Sequence, residues 1–134
     1  MDDKMGDLRD NWWTLDIGES IDVGLPGIYE WRIGVDSLYI GKSARLRGRI
    51  REYPNNVRKL IAGDAYRKGK PTSYREIHRA LRIAHDDMIE VSLTVLENCG
   101  REVLNQRERY WIATRRAEEA QGGPRVLNAA KWSV

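Results

Sequence analysis

The sequence predicts a small α+β domain in which a three-stranded antiparallel sheet is flanked by helices. Residues 27–33 and 38–40 are short, largely apolar segments separated by a turn at 34–37, a pattern typical of a β-hairpin. Apolar and polar side chains alternate from Ile89 to Val95, which predicts a third strand with one buried face. Residues 101–120 carry an apolar stripe, are followed by Gly-Gly-Pro and predict a long final helix.

Three helices are expected between the hairpin and the third strand. The first is capped by Ser43, runs to Tyr53 and is stopped by Pro54, because proline lacks the N–H that a helix interior needs. The second is a short helix over residues 55–63, closed by a glycine. The third opens with a capping box at 73–76. The apolar stripe of this third helix is Ile77, Ala80, Leu81 and Ala84.

Residues 1–25 are expected to form an N-terminal arm, and residues 26–134 a single domain, because 134 residues correspond to one domain by length. We expect the arm to pack on the domain through the rings of Trp12 and Trp13. No segment approaches about 18 consecutive apolar residues, so no membrane contact is expected. The single cysteine, Cys99, excludes an intramolecular disulfide and a zinc-finger framework, and it fits a reducing cytoplasm.

Positive charge is concentrated in the middle of the chain. Residues 42–85 carry thirteen basic and three acidic side chains, a net charge of +10, whereas residues 1–41 have −6 and residues 86–134 have −1. Such a concentration costs self-repulsion, and a polyanionic partner is the usual reason to keep it. A solvated helical surface is the alternative explanation. His78 and His85 lie in or near this segment and are expected on its surface or facing DNA.

A carboxylate lies within the apolar stripe of the last helix. At 100° per residue, Glu108 is about 40° from Leu104 and about 60° from Trp111, on the face that should be buried. A buried carboxylate is costly unless a cation meets it. Glu108 is therefore predicted either to form an internal salt bridge with an arginine or to bind a metal ion.

An arginine and three tyrosines in the first half of the chain suggest a site. Arg49 and Tyr53 are four residues apart and therefore share one face of the first helix. Tyr29 and Tyr39 are polar-tipped aromatic residues on the two hairpin strands. By pattern alone, a tyrosine in such a strand is more often part of the core or of a cross-strand pair than a catalytic group.

Taken together, these residues resemble the GIY-YIG nuclease family. Gly27-Ile28-Tyr29, followed after nine residues by Tyr39-Ile40-Gly41, matches the motif that names the family. Arg49 follows this motif by eight residues, as the family arginine does. Glu108-Arg-Tyr-Trp-Ile112 is similar to the helix that carries the family's metal-binding glutamate. Five elements in this order make the resemblance specific, and it covers residues 26–130.

The remaining elements also resemble the family, with two departures. Lys42 and Ala44 are similar to a common "GKA" sequence, and Tyr53 falls where many members carry a tyrosine or histidine. Pro124-Arg-Val-Leu-Asn128 resembles the closing element, although Leu127 replaces an aromatic residue and the spacing is one residue longer.

The resemblance implies a GIY-YIG-like fold and a metal-dependent endonuclease that hydrolyses DNA phosphodiester bonds with one Mg²⁺ or Mn²⁺ ion. Glu108 would hold the ion, and Arg49 would clamp a phosphate oxygen. Tyr39 or Tyr29 would deprotonate the attacking water, which requires a nearby cation such as Lys42 or Arg49 to lower the tyrosine pKa. With Tyr53, these residues form the expected catalytic set.

Other residues are expected to support this site or to bind DNA. Gly27 and Gly41 belong to the motif, and Asn128 is expected to tie the C-terminal tail to the site. The basic side chains expected to contact DNA are Lys42, Arg45, Arg47, Arg51, Lys59, Arg67, Lys68, Lys70, Arg75, Arg79 and Arg82. A single site breaks a duplex only by nicking twice or by pairing, so a homodimer is one expected arrangement. A nuclease of this kind would act at the nucleoid, or in a host-cell cytoplasm if a phage or mobile element encodes it.

Other functional classes fit the sequence less well. A PD-(D/E)xK nuclease fits poorly because the chain contains no Glu-x-Lys, and an HNH or zinc nuclease fits poorly because only two histidines are present. A non-catalytic nucleic-acid-binding module that retains the fold stays open as the main alternative. A protein-interaction subunit that uses the Trp12-Trp13 arm would leave the basic segment unexplained.

Overall fold

A mixed β-sheet organises the described part of the chain, which is residues 8–63 and 75–128 of a computed structural model. Five strands in these residues pair in the order β1-β4-β2-β3-β5. The elements are β1 (Thr14–Asp16), β2 (Gly27–Ile33), β3 (Ser37–Ser43), α1 (Leu46–Ala62), α2 (Glu76–Asp86), β4 (Val91–Asn98), a 3₁₀ turn (Arg101–Val103), α3 (Leu104–Glu119) and β5 (Arg125–Val126).

The α+β class and the hairpin are confirmed, whereas the three-stranded antiparallel sheet is wrong. Strands β4, β2 and β3 are antiparallel neighbours, but β1 adds to β4 and β5 adds to β3, both in parallel. The two edge strands contain three and two residues. Segments this short carry no readable alternation, and their pairing depends on contacts between distant parts of the chain. The predicted arm therefore contributes a strand to the sheet.

Helix α1 is continuous across Pro54, so the prediction of two helices separated at this residue is wrong. Proline removes the hydrogen bond to the carbonyl of Ile50, which usually ends a helix. Here Tyr53 and Val57 are fully buried on either side of the proline, and their packing holds the helix together. The predicted end at Gly63 is confirmed, since this glycine caps α1 in the left-handed conformation with a φ of 79°.

The predicted apolar stripe of α2 is confirmed, but the helix begins later than expected. Its first residue is Glu76, and residues 73 and 74 of the predicted capping box lie outside the described residues. The first turn is instead closed by His78, whose backbone N–H donates to the Arg75 carbonyl at 3.0 Å. The Nδ1 atom of His78 accepts a hydrogen bond from the backbone N–H of Arg75 at 3.3 Å.

Helices cover both faces of the sheet because the side chains of β2 alternate between two apolar clusters. Tyr29 and Trp31 point towards α1 and α2, whereas Ile28 points towards α3. Glu30 also points towards α3, and its buried carboxylate accepts a hydrogen bond from Arg115 at 2.6 Å. This ion pair attaches the C-terminal half of α3 to the sheet.

The arm packs on the domain through both tryptophans, as expected. Trp12 is buried and makes an edge-to-face contact with His85, at a ring-centroid distance of 5.4 Å. Trp13 lies against Trp31, with ring centroids 5.5 Å apart. No helix of the described ranges is long and apolar enough to cross a membrane.

We expect Trp12→Ala to destabilise the protein, because Trp12 is only 5% exposed and truncation of a buried tryptophan costs about 3–5 kcal/mol. The arm residue Leu25 is 49% exposed, and Leu25→Ala should change the free energy of unfolding by less than about 0.5 kcal/mol. Urea unfolding of both variants measures the difference. Equal stability of the two variants would show that the arm does not pack on the core.

Candidate active site

The candidate site is a cleft of about 470 Å³ at the edge of β3. Strand β5 pairs only with Ser37 and Leu38. Beyond Leu38, the side chain of Asn128 continues the pairing along β3. Its oxygen accepts from the Ile40 N–H at 3.0 Å, and its amide nitrogen donates to the Ile40 carbonyl at 2.7 Å. The cleft opens beside this pairing. Its lining residues are Tyr29, Tyr39, Gly41, Lys42, Arg49, Arg75, Glu76, Ile77, Glu108, Leu127 and Asn128.

Most residues predicted for the catalytic site lie together in this cleft. Tyr29 and Tyr39 come from the hairpin, Arg49 from α1 and Glu108 from α3, with Lys42 between them on β3. The site therefore combines side chains from both faces of the sheet around the edge of β3.

Glu108 is buried, as its position in the apolar stripe predicted, and its side chain meets a cation. The residue is 8% exposed, and its Oε1 lies 3.2 Å from Nζ of Lys42. The salt-bridge alternative expected an arginine, whereas the structure provides a lysine. No group of three or more His, Cys, Asp or Glu side chains suited to a metal occurs in residues 8–63 and 75–128. The donor set still fits a hard ion such as Mg²⁺, which usually keeps several waters and needs only one or two carboxylates.

Arg49 presents a cation to the cleft with few protein contacts. Its Nε is buried and makes no hydrogen bond with any described residue. The carboxylate of Glu52 on the same helix lies 3.8 Å away and is largely exposed. A buried donor without a hydrogen-bond partner is costly, and an anionic oxygen in the cleft would satisfy it.

The tyrosines occupy different environments. Tyr29 is fully buried, and its hydroxyl lies 2.6 Å from the hydroxyl of Tyr53. Burial raises the pKa of both hydroxyls above the ordinary tyrosine value, so the expected lowering of the pKa does not occur at Tyr29. Tyr53, predicted as catalytic, lies behind Tyr29 and does not line the cleft. Tyr39 is half-buried and lines the cleft together with Arg75.

Two glycines of the motif are required by close packing. A Cβ atom on Gly41 would overlap the ring of Tyr29. A Cβ atom on Gly27 would lie 2.5 Å from the carbonyl oxygen of Glu97 and 2.8 Å from Leu46. Gly41 thus allows Tyr29 to lie across β3, and Gly27 allows β2, β4 and α1 to approach one another.

Both histidines are buried, so their expected surface or DNA-facing placement is wrong. His78 is 3% exposed and His85 is 5% exposed, because Tyr53 packs against the first and Trp12 against the second. These partners come from other elements and leave no local signal in the sequence of α2. The Asn56 side-chain amide lies 3.2 Å from Nε2 of His78. Since Nδ1 accepts from Arg75, Nε2 carries the proton and the amide oxygen of Asn56 is the consistent acceptor.

Four of the basic residues predicted to bind DNA border two different cavities. Lys42 and Arg75 line the cleft, while Arg47 and Arg51 border a separate groove of about 360 Å³ on the other side of α1, beside Trp13. The remaining described members are exposed, and they are Arg45, Lys59, Arg79 and Arg82. Three predicted members lie outside the described residues, and they are Arg67, Lys68 and Lys70.

Arg75 and Glu76 were not predicted as parts of the catalytic site. Both line the cleft from the start of α2. Arg75 was assigned only to the DNA surface, and nothing in the local sequence distinguishes it from the other arginines. Its approach to Tyr39 depends on how α2 packs against the sheet.

The unfolding free energy should fall as pH falls from about 6.5 to about 4, because of His78. Burial, and then the nearby Arg75 and Arg49, lower the pKa of His78 from 6.5 to about 4. Its contribution is complete above the unfolded-state pKa and is lost as the pH falls, since only the unfolded chain accepts the proton readily. We expect His78→Gln to have a flatter pH profile in urea unfolding. An unchanged profile in this variant would contradict the neutral buried histidine.

Compared with family models, with curated proteins and with solved structures, the chain has no match. Membership of the GIY-YIG family therefore stays a prediction from the motif residues, and the cleft must support any function on chemical grounds.

Proposed function

We propose that this chain is a metal-dependent endonuclease of the GIY-YIG type that hydrolyses DNA phosphodiester bonds in the cleft beside β3. One observation carries the proposal. Tyr29, Tyr39, Arg49 and Glu108 are spread over eighty residues of sequence, and all four line the same cleft. These four residues bring a buried carboxylate, an arginine and two tyrosine side chains to one cleft, where they can serve a phosphodiester that must be held and hydrolysed.

Glu108 is the residue that would hold the divalent ion, with Lys42 beside it. A divalent ion bound there would supply Lewis-acid stabilisation of the charge on the phosphate and the leaving 3′-oxygen. Lys42 pairs with this carboxylate at 3.2 Å, and its ammonium would be a further donor for a phosphate oxygen. Arg49 would donate hydrogen bonds from its planar guanidinium to a non-bridging phosphate oxygen. The compact ammonium of a lysine cannot match this geometry.

Tyr39 is the better of the two tyrosines for the general base. It faces the cleft, whereas Tyr29 is buried and bonded to Tyr53. Arg75 lines the same cleft and brings a positive charge to it. In this scheme the phenolate form of Tyr39 would take the proton from water as the water oxygen bonds to phosphorus. The bond from phosphorus to the 3′-oxygen would break, and the 3′-oxygen would take a proton from solvent. The ring of Tyr29 would support β3, the strand that carries Tyr39, and would thereby position Tyr39.

A non-catalytic nucleic-acid-binding module is the second candidate. It is favoured by the Lys42–Glu108 ion pair, because this pair satisfies the buried carboxylate without a metal. The module would need Arg49 and Lys42 for phosphate contacts, but it would have no use for the hydroxyl of Tyr39.

DNA cleavage should require a divalent metal and Glu108. Supercoiled plasmid incubated with the protein should be nicked in Mg²⁺ or Mn²⁺ and stay intact in EDTA. We expect Glu108→Gln to lower the nicking rate at least about 100-fold, since it removes the charge that would hold the ion. DNA affinity in EDTA should change little. Cleavage in EDTA by purified protein, or full activity of Glu108→Gln, would rule out this site.

The two tyrosines should differ in their effect on cleavage. Tyr39→Phe removes the proposed general base and should lower the cleavage rate about 10²–10⁴-fold with little change in melting temperature. Tyr29→Phe leaves the Tyr53 hydroxyl buried without its partner and should destabilise the fold by about 1–3 kcal/mol. Its cleavage rate below the melting transition should stay within about tenfold of wild type. A larger loss in Tyr29→Phe than in Tyr39→Phe would reverse the assignment, and near wild-type rates in both would favour the binding module.

A further inference from the structure

The exposed side of α1 contains a glycine that the fold does not need. Gly48 is the third residue of α1, it is exposed, and a Cβ atom built on it would have no neighbour within 4 Å. Glycine is the least favourable helix residue after proline, because it loses the most backbone freedom on folding. A small side chain at this position would fit the protein and stabilise the helix. The absence of a side chain at position 48 is explained if another molecule approaches the backbone of α1 at this residue.

The arginines beside Gly48 point to an anionic partner. Arg47 and Arg51 are four residues apart, and like charges at this spacing destabilise a helix. Both are exposed, and neither side chain makes an ion pair or a hydrogen bond with the described residues. Arg82 on α2, by contrast, has Asp86 at 3.2 Å. Arg45, at the start of α1, is also exposed and without such a partner within the described ranges.

Gly48 lies between Arg47 and Arg51 on one side of α1 and the cleft on the other. At 100° per residue, Gly48 is 100° from Arg47 in one direction and 100° from Arg49 in the other. Arg47 borders the groove on the arm side of α1, whereas Arg49 lines the cleft. A chain of phosphates that crosses α1 at Gly48 would therefore contact arginines on both sides of the helix.

We propose that the outer α1 surface, formed by Arg45, Arg47, Gly48 and Arg51, binds the phosphodiester backbone of the nucleic acid that enters the cleft. Gly48 is the point of closest approach, and the arginines neutralise phosphates on the strand before it reaches Arg49. This inference deepens the proposed function and rests on it for the identity of the ligand. It predicts that the substrate crosses α1 rather than approaching from α2.

Replacement of Gly48 separates this role from a structural one. Gly48→Gln should leave the melting temperature unchanged or raise it, because glutamine is a better helix former. It should weaken DNA binding at least about tenfold, which corresponds to the loss of one or more close backbone contacts. Ala113→Gln, at an exposed position of α3, is the matched control and should leave the affinity unchanged. Fluorescence anisotropy in EDTA measures the affinity without cleavage.

The two probes are a short duplex oligonucleotide and its single strand. A loss of affinity for the duplex, the single strand or both supports the surface and identifies the form that crosses α1. Unchanged affinity of Gly48→Gln for both probes overturns the inference. A change in oligomeric state without a change in DNA affinity also overturns it, since the glycine would then serve a protein contact.

The salt dependence of binding provides a second measurement. Replacing Arg47 and Arg51 together by glutamine should reduce the slope of log affinity against log salt by up to about two units, at about 0.9 per phosphate contact on B-DNA. The same change at the exposed Arg101 and Arg125 is the control and should leave the slope as it is. Equal slopes for the two double variants overturn the inference. If binding depends on the α1 surface but no variant or wild-type protein cleaves DNA, the inference stands and the nuclease proposal fails.

Discussion

The contact between Gly41 and the ring of Tyr29 is the constraint on which the site depends. The ring occupies the space that any side chain at position 41 would fill, so β2 and β3 can carry Tyr29 across the face of the sheet. The hydroxyl of Tyr29 shares a hydrogen bond with the hydroxyl of Tyr53, and the two rings are in edge-to-face contact. These contacts fix α1 against that face of the sheet. Arg49, one turn before Tyr53 on the same helix, is thereby held over the cleft. The lack of a side chain at Gly41 in β3 thus determines where Arg49 on α1 lies.

Three ion pairs between described residues join helix α3 to neighbouring strands. Arg107 pairs with Glu97 on β4, and the other two pairs each contain a buried carboxylate. Arg115 pairs with Glu30 on β2, and Glu108 pairs with Lys42 on β3. The two α3 residues are seven apart, about two helical turns, so the pairs hold the helix at two separated points along its length. The buried Glu30 carboxylate has a second cation, Arg32 at 3.3 Å, whereas Lys42 is the cation that pairs with Glu108 among the described residues. The carboxylate in the cleft is therefore positioned by the sheet as well as by the packing of the apolar stripe.

The site residues that could be predicted were those with a local signal. Glu108 stood out because helical spacing placed a charge in an apolar stripe, and Tyr29 and Tyr39 stood out through a motif with fixed spacing. His78, His85 and Arg75 could not be placed, because their burial or orientation comes from Tyr53, Trp12 and Tyr39 on other elements.

The fold departed from prediction for the same reason. Pro54 has a strong local tendency to end a helix, and the burial of its neighbours overrides it. Strand β1 is too short to show a period, and its pairing with β4 arises from the docking of the arm. Local propensity decides an element only where tertiary packing does not oppose it.

The pairing of Asn128 with Ile40 affects how this protein can associate with others. An open strand edge presents backbone donors and acceptors to which a neighbouring molecule can add a strand, a common start of aggregation. The amide of Asn128 engages both backbone groups of Ile40, as a strand residue would. The side chain of Asn128 thus blocks the backbone of β3 at Ile40, and this strand edge resists the addition of another strand. Since only a side chain is needed for this, the adjoining cleft stays open.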